Sequence, residues 1–428
     1  MRMSVRGRNT WMRSAAGLAA ALLIGAGSAA AAPGESGSPS ATASGSNAVR
    51  VDFAAAAAAA ATTSAPDQQA PAPPQPPPPE APPPPPPPPA PPTFLQSIQV
   101  TGFVDTYYNW NFNQTSPEAL RNFDVTHNSF SLNYAEVAVA KAPTEQSRAG
   151  FRMDFGAGDT ANLVNAFEPG GTDFLKYVQQ AYVSVLAGKA LTIDFGKFVT
   201  PAGAEVIESK DNFNYSRGLL FALAIPYYHA GARIGYAFND KVSFTGYLVN
   251  GWNDVKDNNK DKTVIGSLTV KPTAKTAIIT NYIVGNEQAD DADGSGARNL
   301  LDLVATYTAT DKMSVLGNFD YGHDKIAGDG VDWYGAAFGL KFQVSPTFAF
   351  SPRYEVFKDA DGFATGQTQT LQEITLTGEY KIPAGFIARF EFRNDFSDKK
   401  FFTNDNDVLK KTQPTFAIGL IYAFDSKQ

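Results

Sequence analysis

Charged side chains of opposite sign recur two residues apart in this 428-residue chain. Examples are Arg152 with Asp154 and Arg353 with Glu355. Side chains two apart on an extended strand point to the same face, so each pair places both charges side by side. Such a face holds water and acts on passing ions. The candidates for this charged wall are Arg152, Asp154, Arg233, Arg353, Glu355, Arg389, Glu391 and Arg393.

Composition argues against several other chemistries. The chain has no cysteine, which excludes disulfides, thiolate metal sites and cysteine nucleophiles. Its three histidines, His127, His229 and His323, are far apart in the sequence, so we predict no metal site and no cofactor. The net charge of −7 argues against nucleic acid as a partner.

The charged residues lie in segments where apolar and polar residues alternate with a period of two. Phe390 and Phe392, for example, alternate with Arg389 and Glu391. This pattern predicts strands with one apolar and one polar face. Most segments have about 9–12 residues, the length of a tilted strand that crosses a bilayer. Sixteen segments begin near Ile98, Asn128, Ala149, Leu175, Leu191, His229, Lys241, Thr263, Thr276, Asn299, Met313, Asp332, Thr347, Thr370, Gly385 and Thr415. In the second, Phe130 and Leu132 are out of phase with Ala135, which predicts a bulge.

The connections between these segments alternate strictly between short and long. Short links such as 187–189 and 310–312 are followed by longer polar ones such as 285–298. Short turns at one end and long loops at the other are typical of outer-membrane barrels. We therefore predict an all-β fold, a transmembrane antiparallel β-barrel of about 16 strands. A soluble β-sandwich also alternates, but it does not explain the aromatic residues beside the short turns.

The connection from Lys197 to Tyr228 is the longest and the least polar. It is the third long loop, and an apolar loop of this length is expected to fold into the lumen and narrow it. Its candidate constriction residues are Glu205, Glu208, Asp211 and Arg217. The alternative is that the loop and wall charges form salt bridges that only keep the interior wet and paired.

The first 92 residues have a different composition. Residues 1–32 combine four arginines, an apolar stretch and a small-residue ending, which predicts a signal peptide rather than a membrane anchor helix. Residues 33–92 are predicted to form a disordered Ala/Pro-rich periplasmic linker, because 18 of the 27 residues from Pro66 to Pro92 are proline and favour polyproline II. The alternative role of this linker is to bind a Pro-binding module or the cell wall. The barrel is assigned to residues 93–428.

Two stretches resemble known sequences. The last segment, with Tyr422 and Phe424 on its apolar face, resembles the C-terminal signal read by the bacterial outer-membrane assembly machinery, although four residues follow Phe424. The stretch 194–205, together with 212–217 and 250–252, resembles the β-barrel porins of the OmpL-like group. The resemblance spans about Phe94 to Phe424 and implies an outer-membrane channel for small hydrophilic solutes.

These observations favour a non-enzymatic porin for passive diffusion, narrowed by its third loop. One alternative is a structural anchor, tethered to peptidoglycan through the Pro-rich linker. Another is a barrel hydrolase that uses His127 or His323, which lie beside long loops. The expected partners are outer-membrane lipid, lipopolysaccharide and the assembly machinery, and a homotrimer is favoured only by analogy with other 16-stranded porins. The chain is expected in the outer membrane with both termini in the periplasm.

Overall fold

A computed structural model describes residues 93–427, except 167, 169–173, 291, 293 and 295. Sixteen antiparallel strands close into one barrel, which confirms the predicted fold. The barrel strands are β1 (Gln99–Asn111), β2 (Ser129–Lys141), β3 (Ala149–Ala157), β4 (Val178–Leu186), β5 (Leu191–Val199), β6 (Tyr228–Asn239), β7 (Val242–Val249), β8 (Thr263–Thr273), β9 (Thr276–Asn286), β10 (Ala297–Thr310), β11 (Met313–Ile326), β12 (Asp329–Gln343), β13 (Phe348–Asp359), β14 (Gln369–Ile382), β15 (Phe386–Ser397) and β18 (Thr412–Asp425). The predicted signal peptide and linker lie outside the described residues.

The remaining elements are short and lie before or between the barrel strands. They are α1 (Phe94–Ser97), α2 (Asp159–Val164), α3 (Leu219–Leu223), two 3-10 turns (Leu175–Tyr177 and Ser209–Asp211) and a two-stranded sheet of β16 (Phe402–Thr403) and β17 (Leu409–Lys410). Among the described residues, no helix is both long and apolar enough to span a membrane.

The barrel closes where the first strand meets the last. Strand β1 pairs with β18 from Thr101 opposite Asp425 to Asn111 opposite Thr415. This ladder leaves no edge strand with unpaired backbone groups. Because Thr101 and Asp425 are partners, the described chain enters and leaves the barrel at the same end.

The predicted strict alternation of short and long connections is wrong at one place. Strands β11 and β12 join at the loop end through only Ala327 and Gly328. Both residues have positive φ, 52° and 93°, which suits a two-residue hairpin turn. The two strands of this hairpin are long, with 14 and 15 residues, and they extend through the residues that were expected to form a loop.

Each strand has one exposed apolar face and one buried polar face. On β15, Phe390 and Phe392 are 42% and 40% exposed, whereas Arg389 and Arg393 are buried. Exposed tyrosines lie near the short turns, including Tyr236, and near the loops. Four of those at the loop end, Tyr108, Tyr282, Tyr321 and Tyr354, donate their hydroxyls to neighbouring polar side chains, as Tyr354 does to Gln372 at 2.7 Å. This arrangement matches an apolar band with aromatic girdles.

The predicted bulge in β2 is present. The register of β1 against β2 shifts between Asp105 and Thr106, where Asn133 is the extra residue. Asn133 and Tyr134 are consequently both buried inside, while Leu132 stays exposed outside.

The outward apolar face should contact lipid. Leu376 is exposed on β14 near the middle of the strand, so Leu376→Arg is expected to destabilise the barrel by about 2–4 kcal/mol in a bilayer. The free energy of unfolding in phospholipid vesicles measures this. Val408→Arg, at an exposed apolar site in the last loop, is the control. Equal effects of the two substitutions would show that the Leu376 face does not meet lipid.

Candidate functional site

The connection between β5 and β6, residues 200–227, is called the crossing segment below. It leaves the barrel wall at β5, yet it hydrogen-bonds to side chains of β1, β13, β14 and β15. Strands β13, β14 and β15 lie nearly opposite β5 in the order of the barrel, and β1 lies a quarter of the way round. Its apolar residues, including Leu219, Leu220 and Phe221 of α3, are buried.

Arg353 joins the crossing segment to the wall. Its Nη1 lies 2.6 Å from Glu205 Oε1, and its Nε lies 2.8 Å from Glu373 Oε1 and 3.5 Å from Glu355 Oε1. The same guanidinium donates to the carbonyl oxygen of Ser216 at 2.7 Å. Three candidates from the sequence, Glu205, Arg353 and Glu355, are thus brought into one network.

The three candidates on β15 bind the main chain of the crossing segment. Arg389 donates to the carbonyl oxygens of Ser209, Asn212 and Asn214 at 2.6 to 2.9 Å.

Two neighbours of Arg389 on the same strand complete this contact. Arg393 donates to the carbonyl oxygen of Arg217 at 2.5 Å. Glu391 accepts from the amides of Tyr215 and Ser216 at 2.6 and 2.9 Å. Charged groups bound to main chain in this way give strong, directional contacts, so this wall fastens the segment.

The other loop candidates, Arg217, Glu208 and Asp211, contact groups of the crossing segment itself. Arg217 donates to the carbonyl oxygens of Tyr215 and Val206, at 2.9 and 3.3 Å, and to that of Ile207. Its guanidinium lies 4.4 Å from the ring centroid of Phe123.

Glu208 precedes the 3-10 turn of the crossing segment, and Asp211 is the last residue of that turn. Lys210 Nζ lies 2.5 Å from Asp211 Oδ2. Burial raises the pKa of Glu208, and the nearby Lys210 opposes that rise.

The remaining wall candidates lie elsewhere in the interior. Arg152 pairs with Asp154 at 2.9 Å on β3. Arg233 pairs with Asp194 of β5 at 2.7 Å and lies over the ring of Tyr182. These two ion pairs are local to β3–β6.

Asp105 is a wall residue in contact with the crossing segment that the sequence did not single out. It accepts hydrogen bonds from the Tyr215 hydroxyl at 2.9 Å, from Ser209 Oγ at 2.7 Å and from Asn133 Nδ2 at 2.7 Å. Asp105 has no opposite charge two residues away, which was the pattern used to choose candidates. Its place on the polar face of β1 was the available signal.

A cavity of about 400 Å³ lies between the crossing segment and the wall. The segment contributes Glu205, Asp211 and Phe213, and β13 contributes Arg353 and Glu355. The wall of β10–β12 contributes mainly small or uncharged side chains, namely Thr306, Thr308, Ser314, Leu316, Asn318, Ala337 and Gly339. The charged residues of β15 that bind the segment and the cavity therefore lie on different sides of the segment.

A known protein family matches most of the sequence. The model of the family described as "Putative beta-barrel porin-2, OmpL-like" matches residues 97–424. No curated protein sequence matches the chain significantly.

Several solved barrels share the fold at low sequence identity. An anion-selective porin from Comamonas acidovorans is 9% identical, with 77% of this chain and 99% of that one covered and a TM-score of 0.55. OmpT of Vibrio cholerae, in a trimer form, is 14% identical, with coverage of 76% and 99% and a TM-score of 0.52. The outer-membrane channel DcaP of Acinetobacter baumannii is 11% identical, with coverage of 76% and 97% and a TM-score of 0.52.

Arg389 should be needed to hold the crossing segment in place. Arg389→Ala removes donors from three buried carbonyl groups and one of the close cations of Glu379, which keeps Lys341 at 2.8 Å, so we expect a loss of about 3–5 kcal/mol in unfolding free energy. Hydrogen exchange at residues 209–217 should also accelerate. Arg389→Lys should rescue little, because an ammonium cannot reproduce the planar fork.

Arg152→Ala is the matched control, since Arg152 is also buried but pairs only locally with Asp154. Exchange at 209–217 should stay as in the unmodified chain. If both variants accelerate exchange there equally, Arg389 does not act as a specific fastening.

Proposed function

This chain belongs to the family described as "Putative beta-barrel porin-2, OmpL-like", and from that premise we propose that it forms a water-filled outer-membrane channel for passive diffusion of small hydrophilic solutes. The observation that carries the proposal is the cavity between the crossing segment and β10–β12 inside a closed barrel with a polar inner face. A wet interior behind an apolar outer face is the general design of such channels.

The crossing segment is proposed to narrow the channel, and the cavity to be the remaining passage. Its charged lining has three carboxylates, Glu205, Glu355 and Asp211, and one guanidinium, that of Arg353. Arg353 is already within 3.5 Å of Glu205, Glu355 and Glu373. The guanidinium groups of β15 bind carbonyl oxygens of the segment. The passage is therefore proposed to favour cations over anions.

Several further properties follow from the same proposal. Both termini are proposed to lie in the periplasm, and the proposal is supported by the described chain entering and leaving the barrel at one end, that of the short turns. Tyr422 and Phe424, exposed on the outer face of β18, are proposed as the assembly signal. Lipid and lipopolysaccharide are the proposed surroundings, and a homotrimer is proposed by analogy with trimeric porins.

The two histidines named for the barrel-hydrolase alternative, His323 and His127, have the following hydrogen-bond partners. His323 Nδ1 lies 2.9 Å from Asp332 Oδ1, an oxygen that also accepts the hydroxyl of Tyr321. His127 Nδ1 accepts the amide of Asn111 at 2.9 Å. Within the described residues, neither ring is hydrogen-bonded to a serine hydroxyl, as a serine nucleophile would require.

The channel should conduct, and its lining should set its preference. Purified protein in a planar bilayer is expected to give stepwise conductance with a reversal potential that indicates cation preference. Asp211→Asn should shift that potential toward zero, because it removes a carboxylate from the passage. Asp311→Asn, in the exposed two-residue turn after β10, should leave it unchanged. The absence of conductance steps would contradict the channel.

The Pro-rich linker is proposed to reach the cell wall, a role compatible with the channel. The full chain should then co-sediment with peptidoglycan, and a variant lacking residues 33–92 should not. Co-sedimentation of both proteins to the same extent would remove the linker from this role.

A further inference from the structure

The connection between β1 and β2, residues 112–128, also folds into the barrel and is called the first connection below. Its Phe123 is buried. Main-chain groups of Ala119 exchange two hydrogen bonds with the side-chain amide of Gln413 on β18, at 3.2 and 2.8 Å. The ring centroids of Phe123 and of Phe221 in the crossing segment lie 5.9 Å apart. The first connection therefore occupies space between β18 and the crossing segment.

The space on the β10–β12 side of the crossing segment is the cavity described above. Three residues of its wall form one row across the strands. Thr306 of β10 is the register partner of Leu316 of β11, and Leu316 is the register partner of Gly339 of β12. All three line the cavity, and none of them carries a charge. These three residues are called the neutral row below.

Phe213 of the crossing segment reaches the neutral row. A Cβ atom built on Gly339 would lie 3.9 Å from Phe213 Cδ2 and 4.0 Å from Leu316 Cδ2, both of which are van der Waals distances. A side chain larger than that of alanine at this position would therefore press against the ring. Because the ring and the row border the same cavity, a solute that moves along β12 has to pass the ring.

The main chain on both sides of Phe213 is held by the wall. Arg389 donates to the carbonyl oxygens of Asn212 and Asn214 at 2.7 and 2.9 Å, and Asn214 Nδ2 donates to Thr377 Oγ1 at 2.7 Å. Asn212 and Asn214 are buried, whereas Phe213 is half-buried. The ring is therefore the part of this stretch that can turn, about a backbone that is fixed.

The cation beside the ring is already paired. Lys341 Nζ lies 5.8 Å from the ring centroid of Phe213 and 2.8 Å from Glu379 Oε1. The ring and the neutral row are themselves uncharged, so they act on the cross-section of a solute and not on its charge.

We propose that Phe213 and Gly339 form the size filter of the channel, an inference that rests on the proposed function. The ring of Phe213 limits the cross-section of a solute, and the missing side chain of Gly339 leaves the ring room to turn aside. The first connection supports the filter, because it takes up the space toward β18. Compact hydrophilic solutes such as monosaccharides are admitted, and oligosaccharides are held back. Selection by charge stays with the carboxylates of the cavity.

Single-channel recording in a planar bilayer tests the filter. In KCl, Phe213→Ala should raise the conductance and Gly339→Leu should lower it, each by about twofold, because the open cross-section changes. The double variant should lie between the two single variants. The reversal potential should stay that of the unmodified chain in all three, whereas Asp211→Asn should shift it.

Gly317→Leu is the matched control. Gly317 follows Leu316 on β11 and points to the opposite face, where a Cβ atom would meet nothing within 4 Å. The same substitution at this position should leave the conductance unchanged.

Liposome swelling with glucose and with raffinose measures the size limit directly. The rate for raffinose relative to glucose should rise in Phe213→Ala and fall in Gly339→Leu. If Gly339→Leu does not fold, Phe213→Trp replaces it, because a larger ring should also narrow the passage. Asp211→Asn should leave this ratio unchanged.

The proposal is overturned if the unmodified chain gives conductance steps but neither the conductance nor the raffinose ratio responds to the substitutions, since solutes would then take another route. The absence of steps in the unmodified chain would contradict the channel itself. A failed size filter and a failed channel are therefore distinguishable.

Discussion

Hydrocarbon offers no hydrogen bonds to a polypeptide backbone, so each strand in a membrane needs a partner on both sides. The pairing of β1 with β18 meets this requirement for the whole chain. Closure then dictates the two faces: apolar side chains such as Phe390 point outward, and charged ones such as Arg389 have only the interior to occupy. The charged side chains inside this barrel are thus a consequence of closure. Their contacts depend on which other parts of the chain enter the interior.

The crossing segment enters the interior, and its two sides make different contacts with the wall. On one side, Arg389 and Arg393 bind carbonyl oxygens, and Glu391 binds amides. On the other, the segment meets β10–β12 across a cavity lined mainly by small or uncharged side chains. The interior is asymmetric because a chain that hydrogen-bonds to one wall cannot also fill the space beside the opposite one.

The sequence predicted the strands well because the period-two pattern is local. The predicted starts at Leu191, Thr263, Thr276 and Met313 coincide with the first residues of β5, β8, β9 and β11. The pattern failed at the joint of β11 and β12, where the strands continue through residues expected to form a loop. Glu205 and Arg353 were both candidates, but their pairing depends on how the segment crosses the barrel, which no spacing records.

The candidates that do not contact the segment also show that sequence spacing does not reveal which residues pair inside the barrel. Arg152 and Arg233 carry the same signal as Arg353, yet their partners are aspartates on their own or the adjacent strand. Asp105 contacts the segment from β1 without any charged neighbour in sequence to mark it. The alternation along a strand shows which face of the barrel a residue lies on. Its contacts depend on which groups lie near it inside the closed barrel.

The wall binds the crossing segment through the main chain of the segment, and this has a consequence for the evolution of such a protein. Every residue has a carbonyl group, so substitutions at Lys210 or Phe213 leave the contacts of Arg389 with the backbone in place. The side chains that face the cavity can therefore drift from one chemistry to another while the segment keeps its course. A barrel built in this way can change the chemistry of its cavity lining by mutation while its fold stays the same.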